Sequence, residues 1–156
     1  SDYLIYKFEF INMHPATDVV DFQFNLSTDN GSNYNVTKTT TFFRAYHQED
    51  DGGAALEYQT GEDLAQSTAY QSIADRQDND NDSALSGTFT LFNPSSTVFV
   101  KHFMSVIDRV FGSSPIQAND FMAGYGNTTS AVNAINFKFS SGNIDSGQIK
   151  IYGLGN

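Results

Sequence analysis

Apolar and polar residues alternate along most of this chain with a period of two. Leu4, Tyr6, Phe8 and Phe10 fall on one side of an extended backbone, with Lys7 and Glu9 between them. After the turn-like His14-Pro15-Ala16-Thr17, the pattern resumes at Val20, Phe22, Phe24 and Leu26, around Asp21, Gln23 and Asn25. One apolar side and one polar side require a strand that is buried on a single face, and hence an antiparallel sheet. Residues 28–33 supply turn chemistry, because Asn and Gly tolerate positive φ. Further strand-like runs cover 39–47, 85–93, 97–107, 120–126, 132–140 and 147–154. Together they predict about eight strands and an all-β fold, an antiparallel β-sandwich of jelly-roll type. The expected core includes Phe8, Phe10, Phe22, Phe24, Phe89, Leu91, Ile135, Phe137 and Ile149. Helical spacing is nearly confined to 61–75. There Leu64, Ala65, Ala69 and Ile73 predict one short helix with an apolar stripe.

At 156 residues the chain suits a single domain, 1–156, with a core of its own. A hydrophobic fraction of 39% excludes wholesale disorder. No apolar run approaches the roughly 20 residues of a spanning helix, so membrane insertion is not expected. The formal net charge of −10 repels phosphate backbones, which argues against nucleic-acid partners. That charge is concentrated. Glu49, Asp50, Asp51, Glu57, Glu62, Asp63, Asp75, Asp78, Asp80 and Asp82 are offset only by Arg76, so this stretch holds −9 of the total. It reads as an acidic surface excursion at about 47–82. Cysteine is absent, which removes disulfides and thiol chemistry and agrees with synthesis in a reducing cytoplasm. The β pattern begins at Tyr3 with neither an initiator Met nor a signal peptide before it, so a further upstream portion is expected.

Few residue constellations point to chemistry. Asp78-Asn79-Asp80-Asn81-Asp82 offers closely spaced oxygen ligands, which makes Asp78, Asp80 and Asp82 a calcium candidate beside the plainer alternative of a solvated acidic turn. The EF-hand frame fails, since its sixth position is Ser83 and its twelfth is Phe89. His14, His47 and His102 have no metal-ligand spacing, and His102 reads as a core or interface residue inside an apolar strand. No nucleophile elbow, phosphate loop or dinucleotide motif occurs. Glu57 and Glu62 would serve as a glycosidase pair only if the fold held them about 5 to 10 Å apart. Five Asn-x-Ser/Thr sequons follow from an Asn-, Ser- and Thr-rich composition. The expectation is a protein that is not an enzyme and has no cofactor beyond the calcium candidate. For a glycan, Tyr46, His47, Tyr58 and Tyr125 are the candidate stacking and hydrogen-bonding groups.

Several turn-and-strand phrases carry a resemblance as a set. They occupy 10–18, 27–36, 40–47, 91–97, 124–131 and 139–154, among them Leu91-Phe92-Asn93-Pro94-Ser95-Ser96-Thr97 and Gly124-Tyr125-Gly126-Asn127-Thr128-Thr129. Together they resemble virion structural proteins of tailed bacteriophages, marine ones especially, of the tail-fibre or head-decoration kind. The resemblance implies a structural component exposed on the virion surface and made in the host bacterial cytoplasm. Its implied partners are copies of itself, most simply in a trimer, and other virion proteins. The alternative it leaves open is a receptor-binding module for host-surface polysaccharide. It brings no catalytic motif, so no residue inherits a role.

Overall fold

The alternation is realised as strands in the computed structural model of the chain, which describes residues 3–112 and 115–155. Ten strands follow in order: β1 (Ile5–Pro15), β2 (Val20–Ser27), β3 (Lys38–Gln48), β4 (Ala54–Tyr58), β5 (Gln71–Gln77), β6 (Leu85–Phe92), β7 (Lys101–Phe111), β8 (Ile116–Gly126), β9 (Ala134–Phe139) and β10 (Ile144–Leu154). They form two antiparallel sheets in a sandwich-like all-β fold. The larger runs β10-β1-β6-β7-β8-β3-β4 and the smaller β5-β2-β9.

Phenylalanines fill the space between the sheets. Phe10, Phe22, Phe24, Phe42, Phe89 and Phe103 are buried, and two pairs of their rings meet edge to face. Phe10 and Phe22 stand 5.1 Å apart at 87°, and Phe24 and Phe103 4.9 Å apart at 76°. Such pairs add about 0.5–1.5 kcal/mol each beyond the area they bury. Of the expected core, Phe8, Phe10, Phe22, Phe24, Phe89 and Leu91 are buried, while Ile135 and Phe137 pack against it partly exposed. Ile149 is the exception, 41% exposed on β10. The small sheet ends with β9, whose Phe137 sits over Phe8, Phe10 and Phe89. Towards β10 the packing is open: Ile135 on β9 and Ile151 on β10 line a hollow of about 290 Å³.

The expected helix is absent among the described residues. Leu64 to Ala69 instead run as an irregular segment beside the start of β3, bound through Thr40 N–H to Leu64 O at 2.9 Å and Lys38 N–H to Ser67 O at 2.8 Å. Ile73 belongs to β5, fully buried. The acidic stretch is likewise only partly superficial. Residues 48–70 are mostly exposed, but β5 contributes buried Gln71, Ile73, Asp75 and Gln77 to the interior.

Asp75 is buried because it meets two arginines. Arg44 on β3 and Arg109 on β7 both donate to Asp75 Oδ1, the second at 2.5 Å. Their Nε atoms donate to the two oxygens of Asp120 on β8, at 2.8 and 2.6 Å. The result is a closed square of alternating charge, 9% exposed or less at every side chain. The Arg109 guanidinium also lies 4.0 Å from the Phe111 ring centroid. Three charges come from the large sheet and one from the small, so the square ties the sheets together.

Two further cations are buried with no carboxylate partner among the described residues. Lys38, Gly126 and Lys101 stand side by side across β3, β8 and β7. Lys38 Nζ donates to Asn25 Oδ1 at 2.6 Å and Val36 O at 2.8 Å, and Lys101 Nζ to Phe99 O at 2.7 Å and Thr128 O at 3.2 Å. Burial lowers the pKa of both, that of Lys38 to about 8.

Two outcomes follow from these buried charges. Asp120→Ala strands both arginines and is expected to cost about 3–5 kcal/mol in urea unfolding, whereas Phe43→Ala on the outer face costs far less. For Lys38, the unfolded chain holds the proton more tightly than the folded one between pH 8 and the ordinary 10.5, so stability contributed at this site rises as pH rises through that window. Comparing wild type with Lys38→Met from pH 7 to 10 should show that rise in the wild type and a flatter profile in the variant. Parallel profiles would refute the assignment.

Candidate binding face

The outer side of the large sheet has no second layer over it among the described residues, and its register sets side chains in rows. Tyr58 on β4, Phe43 on β3, Phe121 on β8 and Val106 on β7 stand level with one another. Thr41, Ala123 and Met104 form the next row, and Thr39, Tyr125 and His102 the one after. The Phe43 and Phe121 rings are stacked, 4.9 Å apart and 5° from parallel. Tyr58, Met104 and Val106 are 51%, 50% and 41% exposed around them. Scattered apolar residues are normal on a surface, but a contiguous group of this kind marks a contact surface.

Beside the aromatic row lies a shallow hollow of about 360 Å³, lined by Thr39, Thr41, His102, Ala123 and Tyr125. Gln66, from the segment after β4, closes one end. Its Nε2 donates to Thr39 Oγ1 at 2.7 Å and to Tyr125 OH at 3.4 Å, while its Oε1 accepts from Asn127 Nδ2 at 2.8 Å. The hollow thus offers hydroxyls, an imidazole and a carboxamide around an alanine floor. His102 points outward here rather than into the core, because β7 places Lys101, Phe103 and Ser105 on the inner side.

The four glycan candidates are not brought together. Tyr58 and Tyr125 share the outer face, in the aromatic row and the hollow respectively. His47 also points outward, but its Nε2 lies 3.1 Å from Asp51 Oδ1 near the β3–β4 turn. Tyr46 has the opposite parity and turns to the inner side with Phe42 and Arg44. Tyr58 OH donates to Asp63 Oδ2 at 2.6 Å, and that bond to a carboxylate raises its pKa. Of the two acids considered as a glycosidase pair, Glu57 is exposed on β4, whereas Glu62 is half-buried with a pKa raised by that burial.

Asp78, Asp80 and Asp82 also diverge. Asp78 is buried and accepts the Gly112 N–H, whereas Asp80 and Asp82 are exposed. Asp80 contributes its backbone carbonyl to Ser83 N–H at 2.9 Å and lies 3.1 Å from His14 Nε2 through the same oxygen. Among the described residues no group of three or more acidic or histidine side chains converges as a metal site. The sequence alone does not reveal the hollow, because Thr39, Thr41 and His102 have no motif in common; only their shared outward parity links them.

Comparison with family models, with curated proteins and with solved structures finds no match to this chain.

Separate substitutions distinguish the three aspartates. Asp78→Ala should lose about 1–3 kcal/mol by stranding the Gly112 N–H. Asp80→Asn combined with Asp82→Asn should stay within about 0.5 kcal/mol of wild type. Thermal melts read both, and a calcium-dependent rise in melting temperature lost only in the second variant would reinstate a metal role.

Proposed function

We propose that this protein is a non-enzymatic structural component of a tailed-phage virion, a jelly-roll type module exposed on the tail or head and assembled with copies of itself and with other virion proteins. The observation that carries the reading is the uncovered face of the large sheet, where Tyr58, Phe43, Phe121, Val106 and Met104 present apolar surface to solvent. A module completed by its neighbours in a particle has a use for such a surface.

A second reading, recognition of host-surface polysaccharide, is favoured by one feature: the hollow that combines Tyr125, His102, Thr39 and Thr41. In that case Tyr125→Ala should abolish retention on the host polysaccharide without altering the melting temperature.

The structural reading is tested by mass spectrometry of gradient-purified particles from a phage that encodes the chain. Its peptides are expected in the particle fraction in multiple copies per virion. Their confinement to the soluble lysate would refute the proposal.

A further inference from the structure

The small sheet has fewer strands than the sheet it covers, and it falls short at one flank. β5 packs against β7 and β8, while Phe137 of β9 lies against Phe8 and Phe10 of β1. β10 lies one strand further out. Its Ile151 and Ile149 pair in register with Phe8 and Phe10 and point to the same inner side. Phe8 and Phe10 are buried, yet Ile149 and Ile151 are 41% and 60% exposed. Between β9 and β10, Tyr6, Phe8, Leu91, Val132, Ile135 and Ile151 line the hollow of about 290 Å³. Close-packed interiors seldom hold apolar walls apart in this way.

β9 borders the gap with an open backbone edge. It pairs with β2 in unbroken register from Ala134 to Phe139, and among the described residues no backbone hydrogen bond reaches its other side. The opposite margin of the small sheet, β5, is less receptive: its register shifts twice and Arg76 takes a φ of 50°. Along β9, Ile135, Phe137 and Phe139 face the core. Asn136 and Lys138 face out toward Tyr70, whose hydroxyl donates to Asn136 Oδ1 at 3.2 Å and whose ring centroid lies 4.4 Å from Lys138 Nζ. The gap therefore combines backbone donors and acceptors on one wall with apolar side chains on the other, and no charged side chain lines the hollow.

We propose that this gap receives an extended segment of a different protein, which adds one strand to the small sheet beside β9 and sets alternate apolar side chains against Ile135, Ile149 and Ile151. Neighbouring strands lie about 4.8 Å apart in either sheet, so a strand next to β9 falls opposite β10. Main-chain bonds along β9 supply affinity, and the hollow selects every second side chain. Other occupants fit less of the gap. A helix, about 10 Å across, leaves the β9 backbone unpaired. A small apolar molecule fills the hollow but leaves Ile149, which lies outside it, in water. A second copy has no strand to give, because all ten strands of the described residues are already bonded within its own two sheets. A second β9 laid alongside the first would also carry its own β1 into the space that β10 fills. Docking of this kind needs only the open gap and is independent of the virion reading.

The test is calorimetric titration of the whole chain with a capped peptide of six residues, the length of β9, that alternates valine with threonine or lysine. This probe is expected to bind, and amide hydrogen exchange along β9 should slow when it does. A peptide of the same composition with its valines grouped at one end should bind at least about tenfold more weakly, and so should the alternating peptide N-methylated throughout. Ile151→Asp, or the milder Ile151→Ser, should weaken binding by a similar factor, whereas Met104→Asp on the outer face of the large sheet should not. Circular dichroism melts confirm that the variants fold. No binding of the alternating peptide, equal binding of the grouped one, or unchanged exchange along β9 would overturn strand addition. Self-association of the wild type that Ile151→Asp abolishes would overturn the assignment to a different protein. The particle analysis decides the virion reading separately in every case.

Discussion

The square of Arg44, Asp75, Arg109 and Asp120 governs how the two sheets meet. Moving four charges out of water costs several kcal/mol per ion, and only near-complete pairing offsets it. That demand fixes more than one contact. β5 must place Asp75 inward, β3 and β8 must hold Arg44 opposite Asp120, and β7 must bring Arg109 across from Ala118. A slip of one residue in any of these strands would turn a charge to the wrong face. The aromatic core supplies most of the hydrophobic drive, but phenylalanines tolerate small shifts that an ion square does not.

Backbone devices around β5 serve the same end. Arg76 has a φ of 50°, unusual for a residue with a side chain, and its N–H is taken up by Asp21 Oδ1 at 3.0 Å. The pairing of β2 with β5 shifts register here, between Val20 and Phe22. Asp75 and Gln77 point inward while Arg76 between them stays in water. A comparable irregularity bends β1 where Asn12 adopts a φ of 49°, opposite Gly147 at φ 123°. A side chain at Gly147 would sit 2.8 Å from Asn12 O, so that bend needs a glycine.

Strands whose inner residues are apolar were legible from alternation alone. β1, β2, β6 and β9 follow the hydrophobic period closely, and their phenylalanines form the core. β5 was not legible, because its inner positions are Gln71, Asp75 and Gln77 besides Ile73, and a polar interior erases the signal that the pattern depends on. Spacing of Leu64, Ala65, Ala69 and Ile73 mimicked a helix, although Thr39 and Thr40 capture that segment's backbone along β3. Ile149 looked like core for the opposite reason: alternation assigns a face, but not whether a second sheet extends far enough to cover it. The candidate hollow depended on register across three strands, which no single stretch of sequence contains.

The place of β1 has a consequence for how the chain is made. Its neighbours are β6 and β10, so the first strand of the sheet is flanked by the tenth. Until residues 144–154 have left the ribosome, one side of β1 has no partner and the large sheet lacks its margin. Long sequence separations of this kind delay closure, since the entropy of joining distant segments is lost before any contact rewards it. The large sheet is therefore completed only once β10 has been made, with a hydrophobic strand waiting until then for its mate. In a cell producing many copies, nascent chains would meet one another during that interval, and this eleven-residue strand is what separates a finished domain from one open to mispairing.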